Sequence, residues 1–502
     1  MKALWRVLES RRLEFSGLLL VAALITAVEA TLHPFMLKWI FDEATITRDF
    51  GRFVYLCFAY LGIGVAIVLF TYVTSLWQKS LENRTLVAIE ERLLRKVLSL
   101  DWKRFNQEGP GYFTSRIHKD SLEGIAPAFS LVIGFGRQVV ATSVLTVVLF
   151  YLHWRAALAL LLVGPPLFWA GQWIGKRVSE ATSAEREEEG RFLYLLTQTL
   201  KAFEMVRGLH WLRSSVLGAN RVGLKAYLDR IYQNHRLLSA QQGLSELLMN
   251  LANVASLVVG GYYVLLGELS FGGFLAFVNS FWRAVTGASS LLQRIPEFHR
   301  HGEVLSRLAS LLALPAEDYA SVSPHVHAQH VKVSYEGKPV LEVPHLALQA
   351  GERVLVVGPN ASGKTTLLRV LAGYLKPDEG VVARPGRIAC LVAPPELPPL
   401  EVRDMVKDPS LIEALDLGDR LDRQANELSS GLRQKVAIGA LLSVDADLYI
   451  LDEPLANLDP ESKERAMELI LERTSGKTLI VVLHGEEEWH GRFDRVLTLP
   501  VA

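Results

Sequence analysis

Before residue 300 the chain carries six apolar stretches, at about 15–39, 53–77, 128–152, 156–174, 244–266 and 271–292. Each approaches or exceeds the ~20 residues that a helix needs to cross a bilayer. Hydrocarbon offers backbone groups no water, so only helices and closed barrels can span it. Runs of this length without alternation predict helices. The hydrophobic excess, 50% of residues with a mean hydropathy of +0.23, is concentrated in these runs. The remainder reads as ordinary soluble α/β sequence. Lys plus Arg and Asp plus Glu number 53 each, which leaves no electrostatic case for nucleic acid as a partner. Cys57 and Cys390 fit neither a disulfide framework nor a zinc site.

Basic residues set the expected orientation. The tail before the first stretch holds Lys2, Arg6, Arg11 and Arg12; the segment 78–127 holds nine Lys and Arg, and 175–243 holds eleven. The connection His153–Arg155 has one and Gly267–Ser270 none. The tail and both long connections are therefore expected in the cytoplasm, and six spans return the chain there. The expectation is a multi-pass protein of the cytoplasmic (inner) membrane with both termini cytoplasmic. Val28–Ala30 has the small residues of a signal-peptidase site, but the apolar run continues to Ile40, so the first segment is expected to stay. Residues 82–100 and 185–236 have apolar residues at helical spacing, predicting helices that extend the spans into the cytoplasm, with Gly190, Gly208, Gly218 and Gly223 as weak points. Charges inside the spans, Glu29, Arg137 and Arg283, are candidates for substrate contact. The plainer reading, favoured here, is that they snorkel or pair with one another. Trp77, Trp154 and Trp173 fall near span ends, as interfacial anchors do.

After residue 314 the chemistry changes. A linker at 315–325 divides a membrane domain, 1–314, from a second domain, 326–502. In that domain Val354–Val357 reads as a buried strand, Gly358 breaks it, and Lys364-Thr365 opens an apolar helical run. The spacing from Gly358 to Gly363-Lys364-Thr365 is that of a phosphate-binding loop, GxxxxGK[ST]. Its glycines let backbone N–H groups crowd a phosphate, and the helix N-terminus adds its own. Lys364 suits the β- and γ-phosphates, and Thr365 suits Mg²⁺. Leu448–Glu453 is an apolar strand ending in two acids: Asp452 suits the same Mg²⁺, and Glu453 is placed to polarise an attacking water. Leu479–Leu483 is another apolar strand, ending at His484, whose tip is expected on the same edge of a parallel sheet. Ser429-Ser430-Gly431 opens a helix, as an N-cap or as a second anion site. The fold class is thus a membrane α-helical bundle of six transmembrane helices with long cytoplasmic extensions, plus an α/β P-loop ATPase domain.

Together these stretches resemble the ABC transporter superfamily, and the whole chain resembles its exporter-type half-transporters, in which six spans and one nucleotide-binding domain share a polypeptide. Tyr335 corresponds to the aromatic that stacks on adenine, and Gly358–Thr365 to Walker A. Leu428-Ser-Ser-Gly-Leu432 resembles the signature LSGGQ, Leu448–Glu453 matches Walker B, Asn457-Leu-Asp459 looks like the D-loop, and His484 like the switch histidine. The resemblance implies ATP and Mg²⁺ as cofactors. Glu453, His484 and Lys364 would be catalytic, and Thr365 and Asp452 would hold the metal. Nucleotide contacts would come from Tyr335, Gly358, Asn360, Ser362, Gly363, Lys364, Thr365, Thr366, Ser429, Gly431 and Asp459. It also implies a dimer, with each ATP between Walker A of one subunit and the signature of the other. Bends near Gly109–Arg116 and Thr199–Arg207 are the expected docking points on nucleotide domains.

Three departures stand out. Where the family places a glutamine that contacts Mg²⁺ and the coupling helices, this chain has Ala393; a single methyl does neither job. The signature has Ser430 for its first glycine and Leu432 for its glutamine. Ala393 to Leu428 is only 35 residues, so the helical subdomain is expected to be trimmed. The leading expectation is ATP-driven export of a lipid or amphipathic molecule. The Ala393 and Ser430 changes favour a heterodimer of half-transporters over a homodimer. A membrane-anchored ATPase that gates rather than transports stays open as the alternative.

Overall fold

The computed structural model describes residues 2–161, 164–314, 320–335, 337–484 and 487–499. They form two compact units, Met1–Ile89 with Asp120–Ala309, and Glu90–Lys119 with Ser310–Ala502. Residues 90–119, which belong in sequence to the first long connection, thus cluster with the nucleotide domain.

Long helices build the first unit. A short α1 (Lys2–Leu8) precedes α2 (Arg12–Asp42), and α3 (Phe50–Val97) runs unbroken for 48 residues. Next come two short helices of the second unit, α4 (Trp102–Glu108) and α5 (Pro110–Thr114). The first unit resumes with α6 (Asp120–Leu161), α7 (Gly164–Lys201), α8 (Phe203–Gly208), α9 (His210–Leu265) and α10 (Phe271–Leu312). At His153 the backbone of α6 leaves helical geometry (φ −161°, ψ 97°), at the connection read between the third and fourth spans. Of the four glycines read as weak points, Gly208 ends α8, whereas Gly190 lies inside α7 and Gly218 and Gly223 inside α9. The breaks come at Ala202 and Leu209 instead, because an isolated glycine costs a helix only about 1 kcal/mol and need not interrupt it.

Among the described residues four segments are long and apolar enough to cross a membrane: Arg12–Thr47, Phe50–Val97, Pro110–Leu160 and His210–Leu265. They contain four of the six expected spans. The stretch 156–174 forms the end of α6 and the start of α7, apart from residues 162–163, which lie outside the described set, as does the side chain of Trp173. The stretch 271–292 is helical within α10, but Asn279, Arg283 and Thr286 interrupt its apolar character. Ala30 of α2, Leu145, Leu149 and Leu160 of α6, Ala252 of α9 and Phe277 and Phe281 of α10 form one buried cluster. Arg283 Nη2 donates to Glu29 Oε1 at 3.1 Å, and Arg137 Nε donates to the buried Thr26 Oγ1 at 3.0 Å. His33 Nδ1 meets the Tyr60 hydroxyl. Glu29, Arg137 and Arg283 therefore have partners on neighbouring helices. Trp77 bonds Glu14 through its indole N–H at 3.2 Å. Trp154 is exposed beside Arg155.

The second unit is an α/β domain with two sheets. Strands β1 (Ser321–Val322), β2 (Val326–Tyr335), β3 (Lys338–Leu348) and β5 (Glu379–Arg384) form one, in the order β1-β5-β2-β3, with β2 antiparallel to both neighbours. The residues 315–319 of the expected linker lie outside the described set. The other sheet is parallel throughout, ordered β6-β7-β8-β4-β9, from β4 (Arg353–Val357), β6 (Ile388–Leu391), β7 (Leu448–Asp452), β8 (Thr478–Val482) and β9 (Arg495–Thr498). Every residue of β7 and β8 is buried, as continuous apolar runs in a covered parallel sheet should be. Helix α11 (Lys364–Ala372) follows β4. Between β6 and the signature stand only α12 (Val402–Met405), α13 (Pro409–Ala414) and two short 3₁₀ turns. Helices α14 (Ser430–Leu442) and α15 (Pro460–Arg473) complete the domain.

Candidate nucleotide site

The parallel sheet brings the expected site residues to one edge. β4 sits beside β8, and β8 beside β7, so the chain leaving each strand at its C-terminal end emerges on the same side. Gly358 follows β4 with φ 155°, and Gly363 caps α11 with φ 87°, in the left-handed region that favours glycine. Lys364 is buried and donates from Nζ to the carbonyls of Gly358 and Pro359, both at 2.8 Å. Its ammonium is thus folded back over the loop. Ser362 is buried with its hydroxyl unpartnered among the described residues. A Cβ at Gly358 would meet that Ser362 oxygen at 2.8 Å, so the loop is closed to any larger residue there. Thr366, the third residue of α11, is buried, while Asn360 is exposed on the loop.

Thr365 Oγ1 donates to Asp452 Oδ2 at 2.7 Å, tying the start of α11 to the end of β7. Burial raises the Asp452 carboxyl above its ordinary range, and the neighbouring Glu453 charge adds to this. The Thr365 hydroxyl, Arg369 and Lys364 work in the opposite direction. A buried carboxylate beside a hydroxyl, short of positive charge, is a donor set that fits a hard divalent cation. Glu453 comes next in left-handed backbone (φ 46°), its N–H donating to Val482 O at 3.0 Å. This turn brings its Oε1 to 3.8 Å from His484 Nε2. Both side chains are partly exposed, open to a water and a substrate. Tyr335 ends β2, half-buried against the core of the antiparallel sheet.

The signature segment lies on the other side of the same turn. Ser429 is the N-cap of α14 but makes no capping bond, so the N-terminus of this 13-residue helix is unclaimed and exposed. A Cβ on Gly431 would come within 2.9 Å of Asn457 O, which is why the position takes no larger residue. Asp459 caps α15, accepting from Ser462 N–H at 3.0 Å; the Ser462 hydroxyl and then this N–H lower its carboxyl.

Three residues important to this geometry have no warning in the motifs. Gln434, fully buried in α14, donates to Pro454 O at 2.9 Å and fixes the turn behind Glu453. A glutamine inside an apolar helical run was the available signal. Trp102 and Arg369 meet face to cation, 4.2 Å from guanidinium to ring centroid. Neither sits in a motif. Contacts with the nucleotide domain are made by Asp101–Lys103, six to eight residues before the expected Gly109–Arg116. Turn residues mark where a chain bends, whereas the grip comes from Asp101, Trp102 and Lys103. At the second expected point, Thr199–Arg207, Phe203 and Met205 are exposed.

A phosphate loop, a paired acid and hydroxyl, a polarising glutamate and a histidine on one sheet edge define a nucleotide-hydrolysing domain, here continuous with helices of membrane-spanning length. Residues 16–289 match the family described as ABC transporter transmembrane region, and residues 341–456 that described as ABC transporter. The chain belongs to the ABC transporters, as an exporter-type half-transporter, and is an ATPase coupled to transport. It is 23% identical to an ATP-dependent lipid A-core flippase of Burkholderia thailandensis over 96% of this chain and 88% of that one. It is 24% identical to a protein of the same name from Vibrio vulnificus, over 96% and 90%. An uncharacterized ABC transporter ATP-binding protein of Bacillus subtilis is 20% identical over 90% and 86%. Half-transporter architecture implies dimerisation.

Proposed function

We propose that this half-transporter moves a lipid or lipid-like amphipathic molecule across the cytoplasmic membrane, through six spans with both termini in the cytoplasm. The observation that carries the catalytic reading is the set Lys364, Thr365, Asp452, Glu453 and His484 on one sheet edge. The substrate class is supported by relatives that bear the name lipid A-core flippase and cover nearly the whole chain. Lys364 exchanges its two loop carbonyls for phosphate oxygens, a swap that needs no rotamer search because the ammonium is already in the loop. Thr365 and Asp452 hold Mg²⁺, which supplies positive charge against the phosphates when bound. Glu453 takes a proton from, or polarises, the attacking water, and His484 holds that water and the leaving phosphate edge in register. Gly358, Asn360, Ser362, Gly363 and Thr366 line the phosphates, and Tyr335 stacks on the base. Ser429 and Gly431 serve the γ-phosphate of the site completed with the second subunit, where Asp459 borders the junction.

Dimerisation has further support in the exposed apolar residues Leu200, Phe203, Met205, Leu209 and Trp211 around α8, a surface suited to a second half-transporter. A heterodimer is the preferred pairing, because Ala393 and Ser430 leave one composite site weaker than the other.

The test is the assembled protein in vesicles of phosphatidylethanolamine and phosphatidylglycerol carrying a fluorescent headgroup-labelled lipid. ATP-dependent loss of dye from one leaflet, absent in Glu453→Gln, is the expected result. Hydrolysis that proceeds with no lipid movement and no response to added lipid would favour gating.

A further inference from the structure

Resting on the assignment of Gly358–Thr365 as the phosphate loop, we propose that Arg369 and Trp102 form the joint by which the loop helix α4 reads the nucleotide site, along α11, in place of the glutamine that Ala393 replaces. Arg369 is a positioning residue in this account; it acts through α11 and touches no substrate.

Three successive residues of the loop hold the far end of α11 and the chain after it. The Trp102 ring lies over the Arg369 guanidinium at 4.2 Å, and the Trp102 N–H donates to Tyr374 O at 2.7 Å. Asp101 caps α4 through Lys103 N–H at 2.8 Å while its other oxygen accepts from Lys376 N–H at 2.7 Å. Lys103 Nζ pairs with Asp378 at 3.1 Å, and Asp378 in turn accepts from Ser334 N–H at 2.6 Å, beside Tyr335. Burial alone would raise the Asp378 carboxyl, but the Ser334 N–H and the Lys103 ammonium together lower it.

The other end of α11 is the nucleotide site itself, with Lys364 as first residue and Thr365 bonded to Asp452. A nine-residue helix is about 13 Å of rigid rod, so a displacement of its N-terminus by phosphate or metal is felt at Arg369. The Arg369 charge also acts on Asp452 and on the Cys390 thiol. Tyr374, held by Trp102 through its carbonyl, meets Cys390 through its hydroxyl, three residues before Ala393. The same loop helix thus reaches the strand end from which the family's glutamine would project. A planar guanidinium stacks on an indole face where an ammonium would be a weaker partner, which explains arginine at 369.

The experiment uses the assembled full-length protein in nanodiscs of phosphatidylethanolamine and phosphatidylglycerol. An environment-sensitive maleimide dye is placed at Ile46→Cys, an exposed site in the turn between α2 and α3, with Cys57→Ser. Cys390 stays, its thiol pushed up to about 12 by burial and the nearby Asp452 and so unreactive. The dye signal on adding MgATP and vanadate is compared in Trp102→Ala, Arg369→Ala and the double variant, with ATP binding measured directly. The expected result is ATP affinity within about threefold of the parent, the dye response reduced about fivefold in each single variant, and no further loss in the double. Trp102→Phe restores much of the response. Unchanged responses in the single variants, additive losses, or loss of ATP binding in Trp102→Ala that Trp102→Phe shares would each overturn the proposal. A parent that binds ATP with no dye response would instead sink the transport reading beneath it.

Discussion

At the scale of single residues, the site is held by contacts that mutation separates cleanly. Lys364 is anchored to two loop carbonyls, so Lys364→Ala removes the phosphate counter-charge and leaves those carbonyls to water; ATP affinity measured by direct binding is expected to fall at least about tenfold. Asp452→Asn keeps the shape and the Thr365 contact but removes the charge. ATP binding should then lose most of its dependence on Mg²⁺ in a titration, whereas an undiminished dependence would place the metal elsewhere. Gln434→Leu leaves the carbonyls behind Glu453 short of a donor, at a cost of about 1–3 kcal/mol in a denaturation curve of the intact protein. These roles were legible to unequal degrees. Lys364, Thr365, Asp452, Glu453 and His484 stand at strand ends and in a spaced motif, so chain order alone places them together. Gln434, Trp102 and Arg369 act through contacts between segments distant in sequence, and no spacing announces such a meeting.

Among the elements, the parallel strands are pinned at the end away from the site. Arg387 before β6 bonds Asp445 at 2.6 Å and Asp447 at 2.7 Å, both before β7, and Lys477 before β8 bonds Asp445 at 3.1 Å. Asp445 is lowered by the Lys477 ammonium and the Arg387 guanidinium, and Asp447 chiefly by Arg387. A carboxyl lowered on folding adds stability above its unfolded value and loses it as pH falls through the folded value. Arg387→Ala should therefore melt earlier than the parent at pH 7, and the gap should close as pH drops below about 4. A gap that persists at acid pH would assign the loss to packing. Strands and helices of this domain follow from local patterns: four consecutive apolar residues in each of β4, β7 and β8, and a 3.6 period for α11. The long helices α7 and α9 were less legible in their ends. Glycines suggested breaks at 190, 218 and 223, but α7 and α9 run through them, since one glycine costs a long helix only about 1 kcal/mol. The contacts of Asp101–Lys103 were not legible either, because the bend residues, not the gripping ones, carry the signal.

For the molecule as a whole, long apolar helices and a hydrolytic sheet edge share one chain, and the transporter family follows from their conjunction. The trimmed segment between β6 and α14 leaves only short helices, and the alanine at 393 leaves the strand end without a reaching side chain. On the proposal made above, communication then runs through the contacts that Asp101, Trp102 and Lys103 make with the nucleotide domain. The measurement that bears most directly on the account is the ATPase rate of the assembled dimer in lipid beside the same assembly with Glu453→Gln. The account predicts that the variant still binds ATP while hydrolysis at this chain's site falls at least about a hundredfold. Equal rates in the two would contradict it, because the acid at the end of β7 would then have no part in the chemistry.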